Sequence, residues 1–300
     1  MKHQTQVMYS VLILASCLLL SSCTETAKKG LTNPFFAMDT GTIDANHTSA
    51  KAQVEMLKEL GYAGIAYWEG NPKRGNYGLS EMLRKLDRQG LKMFPLYFGI
   101  NLDPDKPKYD PSLKEAIKLL KGRDATIWLH IMSKKYKKSS LEGDERAVEI
   151  VREIADTAHE EGVRVALYPH FNDWMERVED AVRVTEKVNR RNVGITFNLC
   201  HWLKVDNEEN MEDVLKLVMP YLFVVTINGA DSNGESWNEL IQPLGQGSFD
   251  IYKFLKTLNE LGYTGPIGLQ GYGIGGDAHE NLKRSINAWR RLSQRIAAEQ

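Results

Sequence analysis

The chain predicts an α/β fold, a single closed (β/α)8 barrel. Eight short apolar runs alternate with helical patterns, glycines punctuate the helix ends, and the 300-residue length suits one barrel of about 250 residues behind an N-terminal extension. A composition of 42% hydrophobic and 26% charged residues belongs to a globular protein rather than a disordered one. Basic and acidic residues nearly cancel at 38 against 39, so no global field recruits nucleic acid. Three cysteines, Cys17, Cys23 and Cys200, exclude a disulfide scaffold.

The apolar runs come in order at 34–39, 63–68, 91–98 and 125–131, then at 163–169, 193–199, 221–227 and 266–270. Most are apolar on both faces, the pattern of parallel strands buried from both sides. Between them, Ala147, Ile150, Val151, Ile154, Ala155 and Ala158 recur at helical spacing. Met211, Val214, Leu215, Val218 and Met219 do the same, as do Ile251, Phe254, Leu255, Leu258 and Leu261. Gly61, Gly90, Gly162 and Gly262 each precede a strand, where a helix C-cap needs positive φ. The stretch Glu59-Leu60-Gly61-Tyr62-Ala63-Gly64 is echoed by Glu260-Leu261-Gly262-Tyr263-Thr264-Gly265. A doubly wound open sheet is the competing fold, but no Gly-x-Gly-x-x-Gly follows the first strand.

Residues 1–22 read as a signal segment. Lys2 precedes an apolar run from Val11 to Leu20, too short to span a bilayer and long enough for a signal core. Leu20-Ser21-Ser22-Cys23 resembles the lipobox of bacterial lipoproteins, which implies cleavage before Cys23 and lipidation of its thiol. Leu14-Ala15-Ser16-Cys17 fits the same pattern with a shorter apolar core. Thr24 after the cysteine implies, by the same resemblance, the outer membrane facing the periplasm. Residues 23–33 then form a polar tether and 34–300 the barrel, with the membrane touched only through the anchor.

In (β/α)8 barrels chemistry gathers at the C-terminal strand ends. Those ends carry Asp39, Trp68 and Glu69, His130, Tyr168 and His170, Asn198 and His201, Asn228 and Asp231, and Gln270. Three of the seven histidines fall there, which points to a functional pocket. Trp68, Tyr97, Phe171, Trp202 and Trp237 stand at or after strand ends, where aromatic faces can stack on a ligand ring. Lys135 lies in a basic loop, 134–138, bordering the same mouth. The glycine-rich segment 271–277 is either a phosphate cradle or a flexible loop.

From Phe35 onward the chain resembles the xylose isomerase-like barrel superfamily of sugar phosphate isomerases and epimerases. The resemblance rests on Gly61-Tyr62-Ala63-Gly64-Ile65, on Gly194 to His201, on Asn228-x-x-Asp231 and on Asn281 to Ser285. It implies a divalent metal held by carboxylates and a histidine on strands five to eight. Here those positions read Tyr168, Asn198, Asn228 and Gln270, neutral groups that suit hydrogen bonding to a sugar better than Mn²⁺ or Mg²⁺. A metal remains possible through His130, His170, His201 and Glu69, a set suited to zinc.

A hydride shift needs a Lewis acid to polarise the carbonyl and is disfavoured by the neutral ligand positions, whereas proton removal beside a sugar carbonyl needs none. His170 is then the base, His201 or His130 the acid, and Asn198, Asn228 and Gln270 bind the enediolate oxygens. Glu69 or Asp231 orients an imidazole or protonates a leaving oxygen. The expected activity is that of an extracytoplasmic sugar isomerase or epimerase. A keto-sugar lyase or hydratase, and a lipid-anchored sugar-binding protein without catalysis, are the alternatives.

Overall fold

The computed structural model describes residues 30–299 apart from Pro72. The signal segment and both candidate lipidation sites, Cys17 and Cys23, lie outside the described residues. In chain order the elements are β1 (Phe35–Met38), α1 (Ala50–Leu60), β2 (Gly64–Tyr67), α2 (Leu79–Gln89), β3 (Lys92–Asn101) and α3 (Ser112–Leu119). Then come β4 (Thr126–Met132), α4 (Asp144–Glu160), β5 (Arg164–Leu167), α5 (Val178–Val188), β6 (Val193–Asn198), α6 (Leu199–Val205) and α7 (Met211–Val218). The chain finishes with β7 (Leu222–Ile227), α8 (Trp237–Leu240), α9 (Ile251–Glu260), β8 (Ile267–Leu269) and α10 (Ala278–Ala298). The eight strands pair in sequence order, all parallel, and β8 closes on β1 with Phe35 opposite Ile267.

Every expected strand is present. β3 runs past its expected end at residue 98 because it stays paired with β4 as far as Asn101 opposite Met132. The four C-cap glycines take φ of 86°, 65°, 70° and 83° at Gly61, Gly90, Gly162 and Gly262. Each is followed by an N–H reaching five residues back, as Tyr62 to Leu57 and Tyr263 to Leu258, which satisfies the last helical carbonyls. The echoed tyrosines diverge beyond the backbone: the Tyr62 hydroxyl donates to the Leu282 carbonyl, that of Tyr263 to the Pro266 carbonyl.

Alternation along the strands divides the core in two. Phe35, Ala37, Ile65, Ile127, Leu129, Val165 and Leu167 face outward into the shell shared with the helices. Their neighbours Phe36, Met38, Ala66, Phe94, Trp128, Ala166, Tyr168 and Val224 fill the barrel interior. Phe36 stacks on Phe94 and Trp128 on Tyr168, so the interior is plugged by aromatic rings that form the floor of the mouth above. At the opposite end of the chain segment, Asn33 is buried and donates to the carbonyls of Tyr263 and Gly265, anchoring the entry to β1. No helix among the described residues is long and apolar enough to cross a membrane.

Candidate active site

The C-terminal mouth holds a cavity of about 540 Å³. Trp128 and Tyr168 floor it; Trp68, Tyr97, Phe171 and Trp237 stand around it, and His130, His170, His201, Asp39 and Gln270 supply its polar surface. Such an apolar cavity with few convergent polar groups is the usual form of a small-molecule site. Of the aromatic residues expected here only Trp202 lies elsewhere, buried against Phe197 in the outer core.

The three histidines come from consecutive strands and form one wall. The rings of His170 and His201 are 4.1 Å apart by centroids, those of His130 and His170 5.6 Å. Tyr97 lies flat on His130 at 4.7 Å, and a side chain at Gly99 would meet His130 Nε2 at 2.5 Å, so only glycine leaves the imidazole its place. Asp173 completes the wall. Its Oδ2 is 2.6 Å from His130 Nδ1 and 3.7 Å from His170 Nδ1. The sequence reading missed this carboxylate, although the spacing His170-x-x-Asp173 carries the signal.

Hydrogen bonds assign the tautomers. His170 Nδ1 donates to the Phe171 carbonyl at 3.0 Å, leaving the Nε2 lone pair free. His201 Nδ1 accepts the Phe171 N–H at 3.4 Å, so its proton sits on Nε2. Burial, reinforced by the neighbouring imidazoles, lowers the pKa of His170 and lowers that of His201 further, although Asp173 pulls His170 the other way. Both rings are therefore neutral at pH 7, one presenting an acceptor and the other a donor.

The remaining expected site residues are held differently. Asn198 caps α6, accepting the His201 N–H, and donates to the Tyr168 hydroxyl at 2.7 Å; it positions both neighbours. Asn228 is fully buried and donates to the carbonyls of Gly229 and Leu240. Asp231 accepts from Gln242 and Ser248 within the loop after β7. Glu69 turns away to accept the Leu79 N–H at the start of α2. Lys135 places its ammonium over the Tyr136 ring, clear of the cavity lining. Gln270 does line the cavity: its Oε1 accepts from Thr40, Gly271 and Tyr272, so its NH₂ is the part left to donate.

These residues do not fit a hard divalent cation. Burial raises the Tyr168 pKa well above its ordinary value, keeping it a neutral phenol, and the carboxamide oxygens of Asn198 and Gln270 are already occupied by N–H donors. Glu69 accepts from the Leu79 N–H instead, and among the described residues no three His, Cys, Asp or Glu side chains are arranged to share a metal ion.

Residues 54–292 match the xylose isomerase-like TIM barrel family. The chain belongs to it. Among curated relatives it is 25% identical to an inosose isomerase of Bacillus licheniformis over 129 residues, 41% of this chain and 45% of that one. It is 26% identical to a ketose 3-epimerase of Arthrobacter globiformis over 145 residues, 47% of this chain and 46% of that one. The aligned stretches thus span under half the length of these relatives. Among solved structures, an L-ribulose 3-epimerase superimposes with TM-score 0.70 at 12% identity, covering 88% of this chain and 95% of that one. The 3-keto-D-glucoside 4-epimerase of E. coli gives 0.67 at 16%, covering 86% and 99%. The IOLI protein with a bound zinc atom gives 0.67 at 16%, covering 89% and 98%. At these identities the structural likeness establishes the barrel.

Proposed function

We propose that this barrel is a carbohydrate-active enzyme of the isomerase or epimerase type that removes a proton beside a sugar carbonyl. The observation that carries the proposal is the wall of three imidazoles, two of them held neutral, facing an aromatic cavity of sugar size. His170 Nε2 takes the carbon-bound proton. Proton transfer by a positioned imidazole contributes about 10²–10⁴-fold. The electron pair moves onto the carbonyl oxygen, where the His201 Nε2–H and the Gln270 NH₂ donate hydrogen bonds to the developing enediolate. Asp173 orients His130 and sets its charge beside His170, which the Phe171 carbonyl orients, and the rings of Tyr97, Trp68 and Trp237 pack the sugar faces.

A keto-sugar lyase is the second reading. His170 would remove the same α-proton, and His130, in its imidazolium form beside Asp173 on the same wall, would give the proton to an oxygen expelled from the β-carbon. Incubating the protein with methyl 3-keto-glucoside or D-allulose in heavy water, followed by NMR, tests both readings. A deuterated epimer supports the first and an unsaturated sugar the second. Binding without exchange overturns both in favour of a sugar-binding protein.

We further infer that Cys23 carries the lipid and holds the barrel at the periplasmic face of the outer membrane. Mass spectrometry of the N-terminal peptide from the membrane fraction, with Cys23→Ser and Cys17→Ser variants, tests this. A lipid on Cys17, or none, contradicts it.

A further inference from the structure

Asp39 is the one carboxyl group that lines the cavity among the described residues, and the chemistry outlined above leaves it unused. It directly follows β1, whereas His170 stands beyond the end of β5. In a closed ring of eight strands β1 and β5 are four apart in either direction, so the two residues rise from opposite sides of the mouth. A sugar ring held between them shows one face to each. Asp39 is 2% exposed, and its Oδ2 accepts the Trp68 N–H at 2.9 Å, which fixes the carboxyl against the end of β2.

We propose that Asp39 is the second proton carrier of this site, delivering a proton to the sugar face opposite the one from which His170 withdraws it. The inference rests on the proton-abstraction reading above. The C–H bond breaks toward His170 Nε2 and its electron pair passes to the carbonyl oxygen. A new C–H bond forms on the other face with the Asp39 proton as the carbonyl re-forms, leaving an imidazolium and a carboxylate that exchange with solvent. The net result is inversion at one carbon with no redox change. Burial keeps the donor loaded: it pushes the Asp39 carboxyl up to about 7 against the opposing pull of the Trp68 N–H, Asn71, the Arg74 charge and the Thr40 N–H. Tyr77 is the other titratable group that bears on it. The product's new hydrogen therefore originates in solvent, and the active form needs His170 neutral with Asp39 protonated. Activity should fall on the acid side below His170's ordinary 6.5 and on the alkaline side near 7.

Asp39→Asn keeps an acceptor for the Trp68 N–H and removes the proton. With a keto-sugar in heavy water, loss of the α-proton reports His170, and appearance of the epimer reports Asp39. The variant is expected to exchange the α-proton within about tenfold of wild type while epimer formation falls about 10²–10⁴-fold, and the alkaline limb disappears. Epimer at the wild-type rate overturns the inference. So does a parallel fall of exchange and epimer, the mark of a structural role, and so does a wild type that exchanges yet yields only an elimination product. A wild type that exchanges nothing brings down the underlying reading instead. Thermal unfolding at pH 7 accompanies the comparison, with the variant expected to be at least as stable.

Discussion

The β4–β6 side of the mouth and the β7–β8 side use polar residues in opposite ways. On the first, His130, His170 and His201 crowd together with Asp173 beside two of them, and all three histidines line the cavity. On the second, Asn228 spends its NH₂ and Asp231 its carboxylate on the chain itself, holding the loops after β7, and Gln270 commits its oxygen and keeps only its NH₂ free. Polar side chains at equivalent strand ends thus either line the cavity or hold the loops. What separates them is whether a polar atom remains free at the cavity lining: Phe171 holds only the Nδ1 atoms of His170 and His201, whereas Asn228 lies buried behind the lining.

The largest effect that would sharpen this contrast is in stability. Asp39 keeps its proton up to about pH 7 in the fold against an ordinary 3.8. Between those values the unfolded chain is ionised and the folded one is not, so stability falls as pH rises toward 7. Relative to Asp39→Asn, wild type should lose up to about 4 kcal/mol between pH 4 and 7, measured by denaturant unfolding. Equal pH dependence in the two proteins would break the contrast, because Asp39 would then be held like Asp231.

Next comes Asp173→Asn, which removes the charge behind two imidazoles. A fall in turnover on the order of 10²-fold with little change in KM is expected. That is less than the roughly 10⁴ seen when one carboxylate alone sets a catalytic tautomer, because the Phe171 carbonyl also holds the His170 proton. A KM effect alone would assign Asp173 to binding.

Asn228→Ala should act on the other side of the mouth and on stability. It strands the Gly229 and Leu240 carbonyls, costing about 1–3 kcal/mol in chemical denaturation while turnover of the folded fraction stays within about twofold. A selective loss of turnover would move Asn228 into the chemistry.

The barrel was legible because burial on both faces writes its strands as plain apolar runs, and because Gly61, Gly90, Gly162 and Gly262 mark where helices must stop. The histidine wall was legible through the same strand-end rule. Side-chain direction was not: nothing in the local sequence says that Glu69 turns back to cap α2. Asp173 escaped notice because it lies in the loop after β5, which folds it under His130 through Asn172 at φ 74°. Asp39 could be seen at a strand end, but its retained proton follows from burial that only the closed barrel supplies.

The most direct test of the account is α-proton exchange of methyl 3-keto-glucoside or D-allulose in heavy water, comparing chelator-treated wild type with His170→Ala. The account predicts exchange by wild type that survives chelation and falls about 10²–10⁴-fold in the variant. Exchange that vanishes with the chelator and returns with a divalent ion, or that persists at the wild-type rate without the imidazole, would contradict it.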